Sequence, residues 1–339
     1  MIRLDRIKLS IGSDAITGID TDRMKLNQET IPGNGVLLSE ELSTVNSPGI
    51  GIKRIRYDKI KQEAIIEVSG KVLRDQYFEL INKNTIERVF SEINKCSPVT
   101  FDPGKAIDTA MVLTMDCTDN LKVSNDPADY LTALNQIRID ERYNLTKYKE
   151  PGNKGLVITG KQKSFKERQI FYIKLLDLYR DKVLNNEWYY QQLIREHSNV
   201  LRVESNLISF AKIREYAGGS TILKEILASQ ERPNLMLFEK ITKRNVDFQL
   251  YLELQTGKYA GMTLHKLEKQ KGMEGIIRES NYDINLIIQI INQVRGQGSN
   301  NYTAVKQYRN VLAGLIKDES QMTVRKNELI DEIRYLLAA

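Results

Sequence analysis

Residues 109–118 read TAMVLTMDCT, and residues 200–209 read VLRVESNLIS. Each is a largely apolar run of strand length that carries an acid, Asp116 in the first and Glu204 in the second. A carboxylate inside such a run costs several kcal/mol to bury unless it is paired or holds a metal. Side chains alternate across a strand, so Thr114, Asp116 and Thr118 share one face of the first run, and Arg202, Glu204 and Asn206 share one face of the second. This reading predicts two central, neighbouring strands with a polar stripe crossing one side of their sheet. Glu67, in IIEVSG (65–70), is a third acid of the same kind.

Working outward, LDRIKLSI (4–11) alternates apolar and polar residues as a half-buried strand does. Two more strands are predicted at 50–57 (IGIKRIRY) and 62–69 (QEAIIEVS), with Tyr57–Gln62 as their hairpin. Asp14–Pro48, rich in Gly, Ser, Thr, Asn and Asp, reads as a long irregular excursion. Leu73–Ile93 has helical spacing, Pro98 and Pro103 break the chain after it, and Pro127 opens a short helix to Ile137. The polar stretch Asp140–Lys154 reads as a subdomain boundary, followed by a strand (155–160), a basic turn (161–168), an apolar segment (169–178) and a helix (179–196). The expected fold class is α+β, an antiparallel-rich central sheet with helices 73–95 and 179–196 on one face. Strand signals fade from Ser220 onward, which predicts a sheet domain over 1–219 and a helical C-terminal domain over 220–339. No repeat of fixed period is visible.

With 339 residues, 41% of them hydrophobic, the chain can build a sizeable core, which excludes a collagen, a disordered tail or a disulfide scaffold. Fifty Lys and Arg against 44 Asp and Glu give a formal charge of +6, which permits an anionic partner without requiring one. Two cysteines, Cys96 and Cys117, favour a reducing, cytoplasmic location. The opening Met-Ile-Arg-Leu-Asp has no apolar leader core, and the greasy stretch Ile284–Val294 is broken by Asn285, Gln289 and Asn292, so no membrane span is expected. The two histidines, His197 and His265, cannot form an H-x-H or HExxH metal site, and no CxxC exists. Gly155–Lys161 (GLVITGK) matches G-x-x-x-x-G-K, but its spacer residues are strand formers and Gln162 stands where Ser or Thr is needed, so it is not read as a phosphate loop.

Asp116, Glu204 and Glu67 could supply oxygen ligands to Mg²⁺ or Mn²⁺. The structural alternative is that Glu204 only neutralises Arg202 or another buried base. The segment KQKSFKERQIFYIKLLDL (161–178) sets Lys161, Lys163, Lys166 and Arg168 ahead of Tyr172 and Lys174 after it. A phenol with a pKa of ~10 is a weak nucleophile at neutral pH, and neighbouring cations and a divalent metal would stabilise its phenolate. The plain alternative is a core aromatic beside a wet lysine loop. If DNA is the partner, Lys53, Arg54, Arg56, Lys161, Lys163, Lys166, Arg168 and Arg202 are the candidate backbone contacts. Tyr189 and Tyr190, after Trp188, read as core or base-stacking residues.

Four segments, in this order, resemble the filamentous-phage gene II / X type replication initiation family of HUH-related rolling-circle endonucleases. IEVSGKVL (66–73) is similar to a segment ahead of a long helix in that family, and LTMDCT (113–118) to its strand ending in Arg-x-Asp-x-Thr. FYIKLLDL (171–178) is similar to its Tyr-x-Lys-x-x-Glu-Leu segment, and VLRVESNLISFAKIREYAG (200–218) to its Leu-Arg-Phe-Glu-x-Arg-Leu segment with the helix that follows. The departures are the lack of an arginine before Asp116, Asp177 in place of Glu, Asn206 in place of a basic residue, and no two-histidine signature.

The resemblance implies an HUH-like nicking domain in which Tyr172 is the nucleophile, Lys174 its basic companion, and Asp116 with Glu204 and Glu67 the holders of Mg²⁺ or Mn²⁺. It implies a replication initiator that nicks one strand of origin DNA, leaves a 5′-phosphotyrosine and a 3′-hydroxyl primer, and rejoins the strand at termination. The implied partners are origin DNA, single-stranded or supercoiled duplex, and a host helicase and polymerase. A non-catalytic DNA-binding module of the same fold, or a structural or interaction protein, are the alternatives.

Overall fold

The two acid-bearing runs pair with each other at the middle of one sheet. In this computed structural model, which describes residues 1–30, 37–137, 139–148, 155–162, 165–242, 261–280, 283–295, 301–319 and 323–339, the strands are β1 (Leu4–Gly12), β2 (Ile16–Ile19), β3 (Lys25–Thr30), β4 (Leu37–Ser43), β5 (Ile52–Asp58), β6 (Glu63–Ser69), β7 (Val99–Phe101), β8 (Met111–Lys122), β9 (Tyr143–Lys147), β10 (Gly155–Gly160), β11 (Glu167–Ile173) and β12 (Val200–Leu207). Ten of them form one antiparallel sheet in the order β3-β4-β5-β6-β1-β8-β12-β11-β10-β9, and β2 pairs with β7 apart from it. β12 runs antiparallel to β8, with Glu204 opposite Thr118 and Asn206 opposite Asp116.

The strand order has a two-part logic. β1 is followed by the meander β3-β4-β5-β6, which returns to lie beside β1, and β8 is followed by the meander β9-β10-β11-β12, which returns to lie beside β8. The halves join through the antiparallel β1–β8 pair. The repeat is one of topology, with no fixed period in the sequence to announce it.

One side of the sheet is apolar: Ile7, Leu9, Ala64, Ile66, Val68 and Val112 are buried. The other side carries Arg6 and Lys8 of β1, Glu67 of β6, Asp116 of β8 and Glu204 of β12. The alternation of β1 is broken at one point. Leu4 pairs with Cys117 but Arg6 pairs with Asp116, so a bulge turns both Asp5 and Arg6 toward one cavity.

Several elements differ from expectation. Residues 73–95 are not one helix: a 3-10 run over Gly70–Glu79 is interrupted at Arg74 (φ 55°), and an α-helix resumes only at Ile86–Cys96. The cause is Ile81, which exchanges two backbone hydrogen bonds with Leu4 and so draws the chain onto the end of β1, with Leu80 at φ 59°. Residues 179–196 shrink to a helix over Tyr190–Glu196, because Asp181 Oδ1 accepts from the Val183 and Leu184 amides and closes a turn there. The two broken segments still pack together, with Tyr77, Leu80, Leu178, Leu184, Tyr189 and Leu193 in one apolar cluster, which makes Tyr189 core. Asp14–Pro48 contains β2, β3 and β4, and Asp140–Lys154 contains β9, which is hydrogen-bonded to β10 and therefore no boundary. The segment 169–178 is the strand β11 leading into a helical turn at Lys174–Leu178.

The chain divides into two compact units, one comprising Met1–Asn135, Ile139–Lys243 and Ile333–Ala339, the other Gln136–Arg138 and Arg244–Glu332. The sheet unit runs past residue 219 because the next segments are hydrogen-bonded to strands. The Val112 amide donates to Thr221 O (2.8 Å), Gln169 Nε2 donates to Asn234 O (2.8 Å), and Asn234 Nδ2 donates to Asp119 (2.8 Å). In the second unit Ile277, Ile287, Ile291, Ala304 and Val311 form a core among the helices Leu264–Glu279, Ile284–Arg295 and Asn301–Glu319. No described helix is long and apolar enough to cross a membrane.

Candidate functional site

A cavity of about 610 Å³ opens on the polar side of the sheet, lined among others by Asp5, Arg6, Tyr77, Asp116, Tyr172, Lys174 and Glu204. Behind this lining Arg202 touches Asp5, Tyr77 and Glu204. Arg202 is fully buried, donates to Asn120 Oδ1 (2.8 Å), Tyr77 Oη (3.2 Å) and Asp5 Oδ1 (3.3 Å), and lies 3.8 Å from Glu204. Its remaining amino group meets His197 Nε2 at 3.3 Å, while His197 Nδ1 lies 2.9 Å from Leu193 O. A guanidinium only donates, so Nε2 is the bare nitrogen and Nδ1 carries the proton. Burial, with the charge of Arg202, brings the His197 pKa down to about 3. Arg202 is thus an internal organiser, and its expected role as a DNA contact is corrected: no part of its side chain reaches solvent.

Tyr172 stands opposite Arg202 in the β11–β12 register, and its hydroxyl donates to Glu204 Oε1 at 2.6 Å. Burial, followed by the charge of Asp5, pushes Glu204 up to about 7. Burial also raises the Tyr172 phenol well above its usual 10, with Glu204 adding to the rise and Arg202 opposing it. The Tyr172 ring is 5% exposed and stacks on Tyr148, with centroids 5.7 Å apart and planes 5° from parallel. Lys174 Nζ sits 5.2 Å from the Tyr77 centroid and 5.7 Å from the Tyr172 centroid, and it is paired with Asp177. Burial alone would depress Lys174; Tyr77, Asp177 and Asp5 outweigh it and hold the ammonium charged. Tyr172, Lys174 and Glu204 therefore converge, and the acid nearest the phenol is a hydrogen-bond acceptor for it.

The three carboxylates expected to share a metal are held otherwise. Arg6 Nε binds Asp116 Oδ2 at 2.8 Å and Arg6 also reaches Glu67 at 3.6 Å, so a guanidinium already lies between these two acids. Lys53 holds Glu67 at 3.3 Å, and Glu67 does not line the cavity. Burial raises the Asp116 pKa, against the pull of Arg6. Among the described residues no three His, Cys, Asp or Glu side chains converge as a metal-holding group. As a set, Asp116, Glu204 and Glu67 do not fit one Mg²⁺ or Mn²⁺ in this arrangement, because Arg6 would have to leave first.

The predicted basic contacts separate into groups. Lys53 and Arg168 line the cavity, and Arg168 donates to Asn206 rather than to a carboxylate. Arg54 is exposed on β5, and Arg56 is tied to Glu41 at 3.1 Å. Lys161 and Lys166 are exposed at the β10–β11 turn, and Lys163 lies outside the described residues. Gly155–Gly160 is the strand β10 itself, as the spacer residues of the G-x-x-x-x-G-K match required.

Sequence reasoning missed Asp5, Arg6, Lys71, Tyr77, Asn120 and His197. A signal for the first two existed: Asp5-Arg6 places two polar residues in succession inside an otherwise alternating strand, the signature of a bulge. Lys71, which pairs with Asp181 on the cavity wall, and Tyr77, whose hydroxyl donates to Asp5 at 2.9 Å, arrive through long-range contacts that no local pattern encodes.

No family model matches the chain, and no curated protein matches it. Among solved structures, a rolling circle replication initiator protein from Geobacillus stearothermophilus is similar over 67% of this chain and 78% of its own, at 13% identity and a TM-score of 0.32, a distant likeness of fold.

Proposed function

We propose that the cavity around Tyr172 is a strand-transfer site for DNA, and that the chain is a rolling-circle replication initiator that nicks one strand of origin DNA and later rejoins it. The observation that carries this reading is the 2.6 Å hydrogen bond from Tyr172 to Glu204, a carboxyl with a pKa near 7. A phenol this buried is a poor nucleophile by itself. A base poised near neutral pH, already in contact with its proton, is what such a phenol needs.

In the proposed step Glu204 takes the Tyr172 proton. The Tyr172 oxygen forms a bond to phosphorus as the bond from phosphorus to the 3′ oxygen breaks, and that oxygen takes a proton from solvent. A 5′-phosphotyrosine and a 3′-hydroxyl result, and the reverse step rejoins the strand without an external energy source. Lys174, beside the Tyr172 ring, and Arg168, on the cavity wall without a carboxylate partner among the described residues, would offset the developing phosphoryl charge.

The test incubates the full chain with end-labelled single-stranded origin DNA, with and without Mn²⁺, and reads a denaturing gel for a protein–DNA band. The proposal expects the band from the native chain and none from Tyr172→Phe. A band that survives Tyr172→Phe places the nucleophile elsewhere. DNA binding without any band favours the second reading, a non-catalytic DNA-binding module, which the burial of Tyr172 supports.

A further inference from the structure

Glu67 sits among four cations and shares one of them, Arg6, with Asp116. β6 projects it from the open side of the sheet, between two strands that each set a basic residue directly opposite: Lys8 on β1 and Arg54 on β5. Residues so paired have Cβ atoms roughly 5 Å apart. Arg6 and Lys53 complete the ring at 3.6 and 3.3 Å from the Glu67 carboxylate. Two acids, Glu67 and Asp116, thus face four bases. The nearby acids behave differently, since Glu41 pairs with Arg56 and Glu40 with Lys59. Among the described residues, no carboxylate pairs with Lys8 or Arg54. The patch is half-open to solvent, with the Lys53 side chain 50% and the Glu67 side chain 29% exposed. It is also continuous with the cavity, because Arg6 and Lys53 belong to both.

We infer that this ring is a phosphodiester subsite of the nucleic-acid strand, and that Glu67 occupies in the free protein the place a backbone phosphate takes in the complex. Four cations exceed the two carboxylates, Glu67 and Asp116, set beside them. A further anion there gains charge neutralisation that Glu67 and Asp116 do not supply. The pleat spaces successive open-face residues of β1 two apart, so Arg6 and Lys8 extend the cationic track from the cavity mouth along the strand. Glu67 is then a competing anion. It weakens binding of the first phosphate and, together with Asp116, keeps Arg6 oriented until DNA displaces it. This assignment replaces Glu67 as a metal ligand and rests on the reading of the cavity as a DNA site.

The opposite roles give opposite results for Glu67→Gln. Removal of a competing half-buried charge should tighten binding of a fluorescent single-stranded oligonucleotide at ~0.1 M salt by about two- to fivefold. Loss of a metal ligand or of a purely structural ion pair would not tighten it. The exposed Arg54→Gln and the half-buried Lys8→Gln should each weaken binding and flatten the dependence of log K on log salt by ~0.7, the increment for one phosphate contact on single strands. Circular dichroism checks that each variant is folded. If Glu67→Gln does not fold, the slopes of the two basic variants decide the matter alone. Weaker or unchanged binding by a folded Glu67→Gln, or unchanged slopes in both basic variants, overturns the subsite. The adduct gel keeps the two proposals apart. Tighter binding by Glu67→Gln with no Tyr172 adduct upholds the subsite and removes the nicking reaction. An adduct formed with unchanged binding in all three variants does the reverse. A native chain that neither retains DNA nor forms an adduct removes both.

Discussion

Replacement of Glu204 by Gln separates the proton chemistry of the cavity from its packing. Burial and the charge of Asp5 raise the Glu204 carboxyl from its usual 4.5 to about 7. Between those two values the folded protein holds a proton that the unfolded chain has released. Stability then falls as pH rises, fully present below 4.5 and lost through 7. At about 1.4 kcal/mol per pH unit the window is worth up to ~3 kcal/mol. Gln is isosteric with the neutral acid, and its amide oxygen still accepts the Tyr172 proton. Glu204→Gln should therefore match the native chain within ~1 kcal/mol at pH 5 and exceed it by ~2 kcal/mol at pH 8. Urea denaturation of both proteins at pH 5, 6, 7 and 8 measures this directly, since groups common to both cancel in the difference. The same substitution removes the base, so adduct formation should drop by ~10²-fold or more and lose its rise with pH through 7. Two stability curves that stay parallel from pH 5 to 8 would refute the assignment of a raised pKa to Glu204, and with it the argument that this carboxyl is poised as a base.

Arg202→Met should destabilise the fold by ~3–5 kcal/mol in denaturant titrations, because Asp5 and Glu204 would be left buried without their shared cation. The His197 imidazole, held neutral by burial and Arg202, should show no change in its proton NMR shifts between pH 8 and 5, where an ordinary histidine titrates. Gly51, at φ +78° on the cavity rim, would carry a Cβ 2.3 Å from the Val72 nitrogen, so Gly51→Ala should lower the melting temperature and cost more than ~1 kcal/mol in denaturant titrations.

The pairing of β8 with β12 was legible because each run is apolar enough to demand burial and carries its polar residues two apart, which places them on one face whatever the neighbours are. The edge strands were not legible for the converse reason. KLNQET and LLSEELS lack the alternation that a half-buried strand shows, and on them Leu26 is 44% exposed and Leu42 buried. Helix periodicity over 73–95 was real, and it lost to a non-local contact, the capture of Ile81 by Leu4. The site divides along the same line. Tyr172, Lys174 and Glu204 could each be singled out from local pattern or family resemblance, but their mutual roles depend on register. A two-residue slip of β11 against β12 would preserve every face and every apolar contact class, yet it would set Tyr172 opposite Glu204 or Val200 instead of Arg202. The bulge at Asp5-Arg6 acts in the same way on β1. It delivers one residue to Arg202 and the next to Asp116, and in doing so puts a guanidinium where a metal had been expected. Residue type announced that this sheet face carries charged and polar side chains. Which acid faces a phenol, which a guanidinium and which a group of basic side chains is decided by the bulge at Asp5-Arg6 and by the registers of β11 on β12 and of β1 and β5 on β6.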